Sequence, residues 1–483
     1  MLRACLIFFI LLNAVPGAVL AAGGSVKQAS KLLDRNYYES AAAMLRAGVS
    51  DGDPASVAFL LGRAYLRDAQ LQTALQRSSL AAGARYLQKL VGQSGRERSR
   101  YAALYYGEYL IASGNKQAGN AQLQKFLAQA EIGKTHRQIA EIRLAAANGG
   151  ALPAATGLEA EARTELAAVL SRNAAKQVEA LALLDRTLEE LRKSGSALPM
   201  RAVTNALAVY TRAGQYDKAL ALLGTEDLGR PSYLETLGKS KTLRFYDAAL
   251  FGNLAALYQA AGEQQMEHAR SDARLKAVVS YFLADVYLAQ GRADKAGAQL
   301  AQLSGAGELP PAYRERIATM QAAVDVRSGQ GQKGNAAFTA LSVKYSQDPV
   351  LLGELLMICV QAKGKCGTTA GAAQTLASTG QGERFRGLHR AIGTLHAEGG
   401  RNERALQYLE TARDKSNKNR IDTNDPLLLV QLADLYMATK GFSENLEIYF
   451  ELSKEFPAVR QLQELGQGIY SMEYRSAGDV KIF

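Results

Sequence analysis

Among its 483 residues the chain has no tryptophan, four histidines and three cysteines. These scarcities exclude much chemistry. Of the imidazoles His136, His268, His389 and His396, only the last two suggest a pair. They lie seven apart, two turns along one helix face and about 10 Å along its axis. That is too far for one metal ion, since zinc-binding helices place ligands at i and i+4; packing positions are expected instead. No GxSxG and no cysteine with an ordered histidine partner occurs. The run GQGQKGN at 329–335 lacks the GK[ST] of a phosphate loop, and no strand precedes it. Carboxylates such as Glu189 and Glu190 stand among Arg and Lys, as on solvated helix faces. No catalytic residue, cofactor or metal is expected. β-Branched residues are sparse and alanine and leucine abundant, which favours helix nearly throughout.

Long apolar runs are also missing, except at the start. Arg3 is followed by the apolar run Leu6–Leu12, a break at Pro16 and Gly17, and the small residues of VLAAGG. That is the layout of a cleavable secretory signal ending at Ala21 or Ala22. A permanent anchor needs about 20 apolar residues, and Asn13 and Pro16 interrupt this run. Cys5 lies too early to carry a lipid. Segment 1–22 is therefore expected to be removed, leaving Cys359 and Cys366 in a disulfide-permissive compartment. These two are a candidate structural disulfide, with Gly364 and Gly367 allowing the bend. The net charge of +11 falls to +10 without Arg3. In an exported chain this favours anionic polysaccharide, peptidoglycan, phospholipid headgroups or an acidic protein over nucleic acid.

What the sequence does have is repetition. NALAVYTRAGQYDKALALL (205–223) reads as two short helices joined at a glycine, and similar copies follow at 282–300, 389–409 and 429–457. Asp-Pro pairs at 53–54, 348–349 and 425–426 mark helix starts, with Asp as N-cap and Pro in the first turn. Small residues (Gly62, Ala284, Gly393, Ala433) would let paired helices approach, and aromatic residues would fill the wedges between units.

Leu61-Gly62-x-x-Tyr65 followed by Ala74, then Tyr210, Gly214 and Ala219, then Leu283-Ala284-x-x-Tyr287 with Gly291 and Ala296, resemble the tetratricopeptide repeat family. So do Leu432-Ala433-x-x-Tyr436 and Pro457, although Asn445 stands where that family has Ala. Tyr258 with Gly262 is a partial copy; weaker ones lie around 107–123, 169–184 and 331–340. The resemblance implies an all-α, right-handed α-solenoid of stacked helix-turn-helix repeats, in which no pair buries its apolar face alone. It divides the chain into an N-terminal helical segment (23–150), a main solenoid (151–457), and a capping helix and tail (458–483). Breaks are expected at 148–157, 224–241, 304–311, 363–382 and 413–426, the stretch 363–382 being a poorly formed helix pair.

By the same resemblance the first helix of each repeat lines a concave groove, with Arg201, Thr204, Arg212, Tyr281, Asp285, Arg390 and Asp434 as candidate partner-binding residues. The early tyrosines (Tyr37, Tyr38, Tyr101, Tyr105, Tyr106, Tyr109) are expected mainly as packing. The reading that follows is a non-enzymatic scaffold, exported to the periplasm and associated there with the outer membrane or free of it. It would bind protein partners in assembling or exporting a cell-envelope structure such as a polysaccharide, pilus or secretion machine. A direct binder of anionic glycan or peptidoglycan is the alternative, and a cell-wall hydrolase a third.

Overall fold

The computed structural model describes residues 25–455, except 50, 92–96, 194–197, 224–246, 304–310, 381 and 414–424. The expected signal segment 1–22, the capping helix and tail from 458, and most of the expected breaks at 224–241, 304–311 and 413–426 lie outside the described residues.

The regular elements are helices. They run as α1 (Val26–Asp34), α2 (Tyr38–Arg46), α3 (Pro54–Val91), α4 (Glu97–Ala112), α5 (Lys116–Leu127), α6 (Lys134–Asn148), α7 (Ala160–Leu170), α8 (Gln177–Lys193), α9 (Met200–Arg212) and α10 (Tyr216–Ala221). There follow α11 (Asp247–Arg270), α12 (Lys276–Ala289), α13 (Ala293–Ala301), α14 (Pro311–Arg327), α15 (Gly331–Lys344) and α16 (Pro349–Gln361). The last described are α17 (Gly367–Ala377), α18 (Arg386–Glu398), α19 (Asn402–Arg413), α20 (Pro426–Thr439) and α21 (Phe442–Glu455). The stretch 363–382 is thus one well-formed helix rather than a broken pair, followed by the short 3-10 turn Gly382–Arg384. The linker 148–157 is non-helical after Asn148, as expected.

One local device makes the hairpins. At each of eight turns a residue in the left-handed region ends the first helix: Asn36, Gly114, Gly214, Gly291, Gly329, Lys363, Gly400 and Lys440. The next amide then reaches back five residues, for example Gln215 N to Tyr210 O (2.9 Å), Arg292 N to Tyr287 O (2.8 Å) and Gly441 N to Tyr436 O (2.9 Å). This is the helix-terminating motif in which a residue with positive φ lets the chain satisfy orphan carbonyls. It explains the repeat spacing of Tyr followed four residues later by Gly: the tyrosine carbonyl accepts the bond that closes the turn.

The same rule explains a correction. The copy at 61–74 was expected to turn between Tyr65 and Ala74, yet α3 runs unbroken for 38 residues. Four residues after Tyr65 stands Ala69, which cannot adopt the left-handed conformation without strain, so the helix continues. Tyr258 does have a glycine at that spacing, Gly262, but α11 passes straight through it. Gly262 instead permits close approach: a Cβ there would lie 2.7 Å from Leu66 Cγ, and one on Gly62 would lie 3.2 Å from the Gly262 carbonyl. The two long helices cross glycine to glycine.

The chain divides into two compact units, Met1–Asp68 with Ala261–Asp425, and Ala69–Ala260 with Pro426–Phe483. In the first, hairpins α12–α13, α14–α15, α16–α17 and α18–α19 stack, first helix on first helix. Their shared core includes Leu283, Val286, Phe338, Leu352, Leu355, Leu388 and Ile392. Burying each such side chain stabilises by about 1.5–3 kcal/mol. In the second unit α4–α5, α7–α8, α9–α10 and α20–α21 are hairpins, with α7 against both α6 and α9. The fold is a set of stacked, TPR-like helix-turn-helix units.

Candidate functional site

In the first unit, polar and aromatic side chains follow one another along the first helices of successive hairpins. On α12, Tyr281 and Asp285 are one turn apart and so share a face. Arg63 and Arg67 do the same on α3. Arg67 Nη2 donates to Asp285 Oδ2 at 2.8 Å, and its guanidinium lies 5.0 Å over the Phe282 ring. Arg63 sits 5.9 Å over Phe59, and the Phe59 and Phe282 rings meet edge to face at 6.3 Å. Next along the stack, Tyr281 packs against Tyr313 of α14, centroids 4.7 Å apart at 84°. Arg316 of α14 pairs with Glu354 of α16. Arg390 of α18 pairs with Asp425, just before α20.

The charges act on one another. Packing would lower the Arg67 guanidinium, but Asp285 and Tyr38 outweigh it and raise it. Burial pushes the Tyr281 phenol up to about 12, against the pull of Arg316. Burial and then Asp425 raise the Tyr38 phenol, with Arg67 and Arg390 opposing. Tyr281, Asp285 and Arg390 are therefore brought into one band, joined by Arg67, Arg316 and Glu354. The six side chains in its ion pairs keep 24–37% of their surface in solvent.

The other four candidates lie in the second unit. Arg201 is 2% exposed. Its Nη1 donates to Glu108 Oε1 at 2.8 Å and Glu165 Oε2 at 3.0 Å, and Nη2 to Glu108 Oε2 at 3.2 Å. Arg143 Nε stands 2.6 Å from Glu165 Oε1. Burial alone would lift the Glu165 carboxyl, but Arg143 and Arg201 hold it down at about 2. Arg201 thus departs from its expected place in an open groove: its charge is met inside the fold. Thr204 is buried too, its carbonyl accepting from Asn253 at 2.7 Å. Arg212 is exposed and donates through Nη1 to the Ala168 carbonyl (3.1 Å) and Ser171 Oγ (2.8 Å). Asp434, also exposed, accepts from Ser78 Oγ at 2.5 Å, and its crowded surroundings lift the carboxyl to about 6.

Cys359 and Cys366 are bonded, Cα atoms 5.9 Å apart, across the α16–α17 turn. His389 and His396 are buried and stack against the Tyr408 ring at 6.0 and 5.6 Å. Of the early tyrosines, Tyr105 and Tyr109 belong to an apolar cluster with Leu87 and Leu90. Among the described residues no group of three or more His, Cys, Asp or Glu could hold a metal ion, and no helix is long and apolar enough to cross a membrane.

Arg67, Arg316 and Glu354 were not anticipated, although repeat register carried part of the signal. Arg63 stands in Leu61-Gly62-x-x-Tyr65 where Asp285 stands in Leu283-Ala284-x-x-Tyr287, and Arg67 follows Tyr65 as Arg212 follows Tyr210. No repeat signature marks α14, so Arg316 had no ruler.

No family model matches the chain, and no curated protein matches it. Among solved structures it is similar to yeast Tom70, at 11% identity and TM-score 0.31, covering 93% of this chain and 95% of that one. It is similar also to the Cut9 and Hcn1 hetero-tetramer of the APC/C, at 15% identity and TM-score 0.27, covering 91% and 95%. A human IFIT1 dimer with m7Gppp-AAAA gives 14% identity and TM-score 0.26, covering 83% and 95%. Scores this low carry no argument about function; the helical-repeat fold stands on the hairpins themselves.

Proposed function

We propose that the chain is a non-enzymatic scaffold that binds protein partners along the first-helix faces of its repeats, and that it does so after export, in assembling or exporting a cell-envelope structure. The observation that carries the binding part is the band Arg67–Asp285, Tyr281–Tyr313, Arg316–Glu354 and Arg390–Asp425. Partly exposed ion pairs contribute only about 0–1 kcal/mol each to stability. Their alignment on consecutive helices is therefore better accounted for by recognition, where half-open charges and aromatic faces give specificity. The export part rests on Arg3, the Leu6–Leu12 run and the small residues before Gly23.

The test uses the full chain expressed with its own N-terminus. Mass spectrometry should find a mature protein beginning after Ala21 or Ala22, and fractionation should find it in the envelope. Crosslinking there should capture a defined protein partner, and the variant Arg67→Glu with Arg316→Glu should lose it while keeping its helical circular dichroism. Retention of residues 1–22 would overturn the export reading. Capture that is indifferent to the double variant would overturn the binding reading.

A further inference from the structure

The buried ion cluster of the second unit has two further arginines at its rim that enter none of its ion pairs. Arg143 and Arg201 face Glu108 and Glu165, and Glu161 stands as a third carboxylate 4.0 Å from Arg201 Nε. Beyond them stand Arg172, two residues after α7, and Arg212, the last residue of α9. Because α7 and α9 are neighbouring first helices, both guanidiniums lie at corresponding ends of adjacent repeats, and both are exposed. Among the described residues neither has a carboxylate partner. Arg212 is anchored through Nη1 alone, to a carbonyl and a hydroxyl. Its Nη2–Nε edge, the one that matches a carboxylate in a two-point fork, is not used by any described residue.

The electrostatics agree. The surrounding packing, then Arg172 and Arg143, push the Arg212 guanidinium below its ordinary value. Packing and then Arg143 do the same to Arg172, with Glu165 opposing. A helix C-terminus accounts for one bond of Arg212, but Arg172 is offset only in part, by Glu165.

We propose that Arg172 and Arg212 form a docking site for an acidic peptide segment, the carboxylates of consecutive Asp or Glu side chains bridging the two guanidiniums. This rests on the reading of the chain as a protein-binding scaffold and names the chemistry of one partner segment. An acidic glycan offers the same group, but sugar rings are ordinarily held on an exposed aromatic face. The nearest tyrosine of α9, Tyr210, is buried and donates to Asp185.

The test is fluorescence anisotropy of a labelled oligoglutamate peptide with the intact protein, at low and at raised salt. Wild type should bind, more weakly as salt rises, and Arg172→Glu with Arg212→Glu should weaken binding at least about tenfold. Lys116→Glu with Lys125→Glu, on the exposed face of α5, makes the same change in net charge and should leave binding within about twofold. Should the reversal lose helical dichroism, Arg172→Gln with Arg212→Gln is read instead, with a loss of about threefold expected. An unchanged affinity in the Arg variants, an equal loss in the Lys variants, or tighter binding of oligogalacturonate than of oligoglutamate would each overturn the site. The wider scaffold reading is separately exposed: if the Arg172/Arg212 variant still captures the crosslinked partner, that reading stands and this site falls. If wild type binds oligoglutamate yet captures no partner, the reverse holds.

Discussion

Replacing Arg201 by Met tests the buried cluster most directly. The substitution keeps an aliphatic stem and deletes three hydrogen bonds to Glu108 and Glu165. Glu165, with 1% of its side chain exposed, would keep only Arg143 as an ion-pair partner. Breaking one partner out of a buried ion cluster costs about 3–5 kcal/mol, and the retained Arg143 contact places the expectation near 3. Stacked repeats open in segments, so the readout is hydrogen exchange of the α9 amides, where about 3 kcal/mol is a loss of about two decades in protection. The pH dependence supplies a second check. Glu165 is held from its ordinary 4.5 down to about 2, a depressed carboxyl. Its contribution, about 3 kcal/mol, is full above pH 4.5 and lost as pH falls toward 2. The gap between wild type and Arg201→Met should therefore close as acid protonates Glu165 in both. A gap below about 1 kcal/mol at pH 7, or one that widens in acid, would refute the reasoning.

Three further outcomes are expected. Gly334→Ala would put a Cβ 2.5 Å from the Ala322 carbonyl between α14 and α15, and such overpacking should destabilise by about 1–3 kcal/mol, seen as a lower melting temperature. Reducing Cys359–Cys366, or Cys366→Ser, releases a short loop with a sequence separation of 7 and should cost about 2 kcal/mol by loop entropy, read by melting with and without dithiothreitol. Burial, with Arg401 and Arg404, lowers the His396 imidazole, so stability should fall as pH drops below about 6.5; in His396→Phe that part of the pH dependence between 7 and 5 should vanish from α18–α19 exchange.

The hairpins were legible because their information is local. Tyr210 with Gly214 and Tyr287 with Gly291 place a carbonyl acceptor and a left-handed residue four apart, and the turn follows. Lys363 and Lys440 make the same turn without a glycine; the second hairpin showed through Leu432-Ala433-x-x-Tyr436, while the first was read as a break. The uninterrupted α3 was misread because Leu61-Gly62-x-x-Tyr65 looks like the start of a hairpin while the deciding residue, Ala69, lies outside the signature. The role of Arg201 was not legible at all. Its partners Glu108 and Glu165 are 93 and 36 residues away, and nothing in a repeat register ties those positions together. The band in the first unit was half legible: Tyr281, Asp285 and Arg390 by register, Arg316 and Glu354 only once their helices were stacked.

The division of the chain also orders events in time. The first unit needs Val26 to Asp68 and also Ala261 to Asp425, with 69–260 assigned to the other unit. At a synthesis rate of about 5–20 residues per second, the start of α3 waits about 10–40 s before the first of the helices that share its core begins to emerge. During that interval Ala58 and Leu66, which the finished fold packs in one core with Met266 and Ala269, are apolar surface without that cover. A nascent chain built this way calls for a holding factor at its N-terminal end before its C-terminal half exists. Ribosome-stalled chains ending before and after residue 425 should differ in how readily a protease cuts within 26–68.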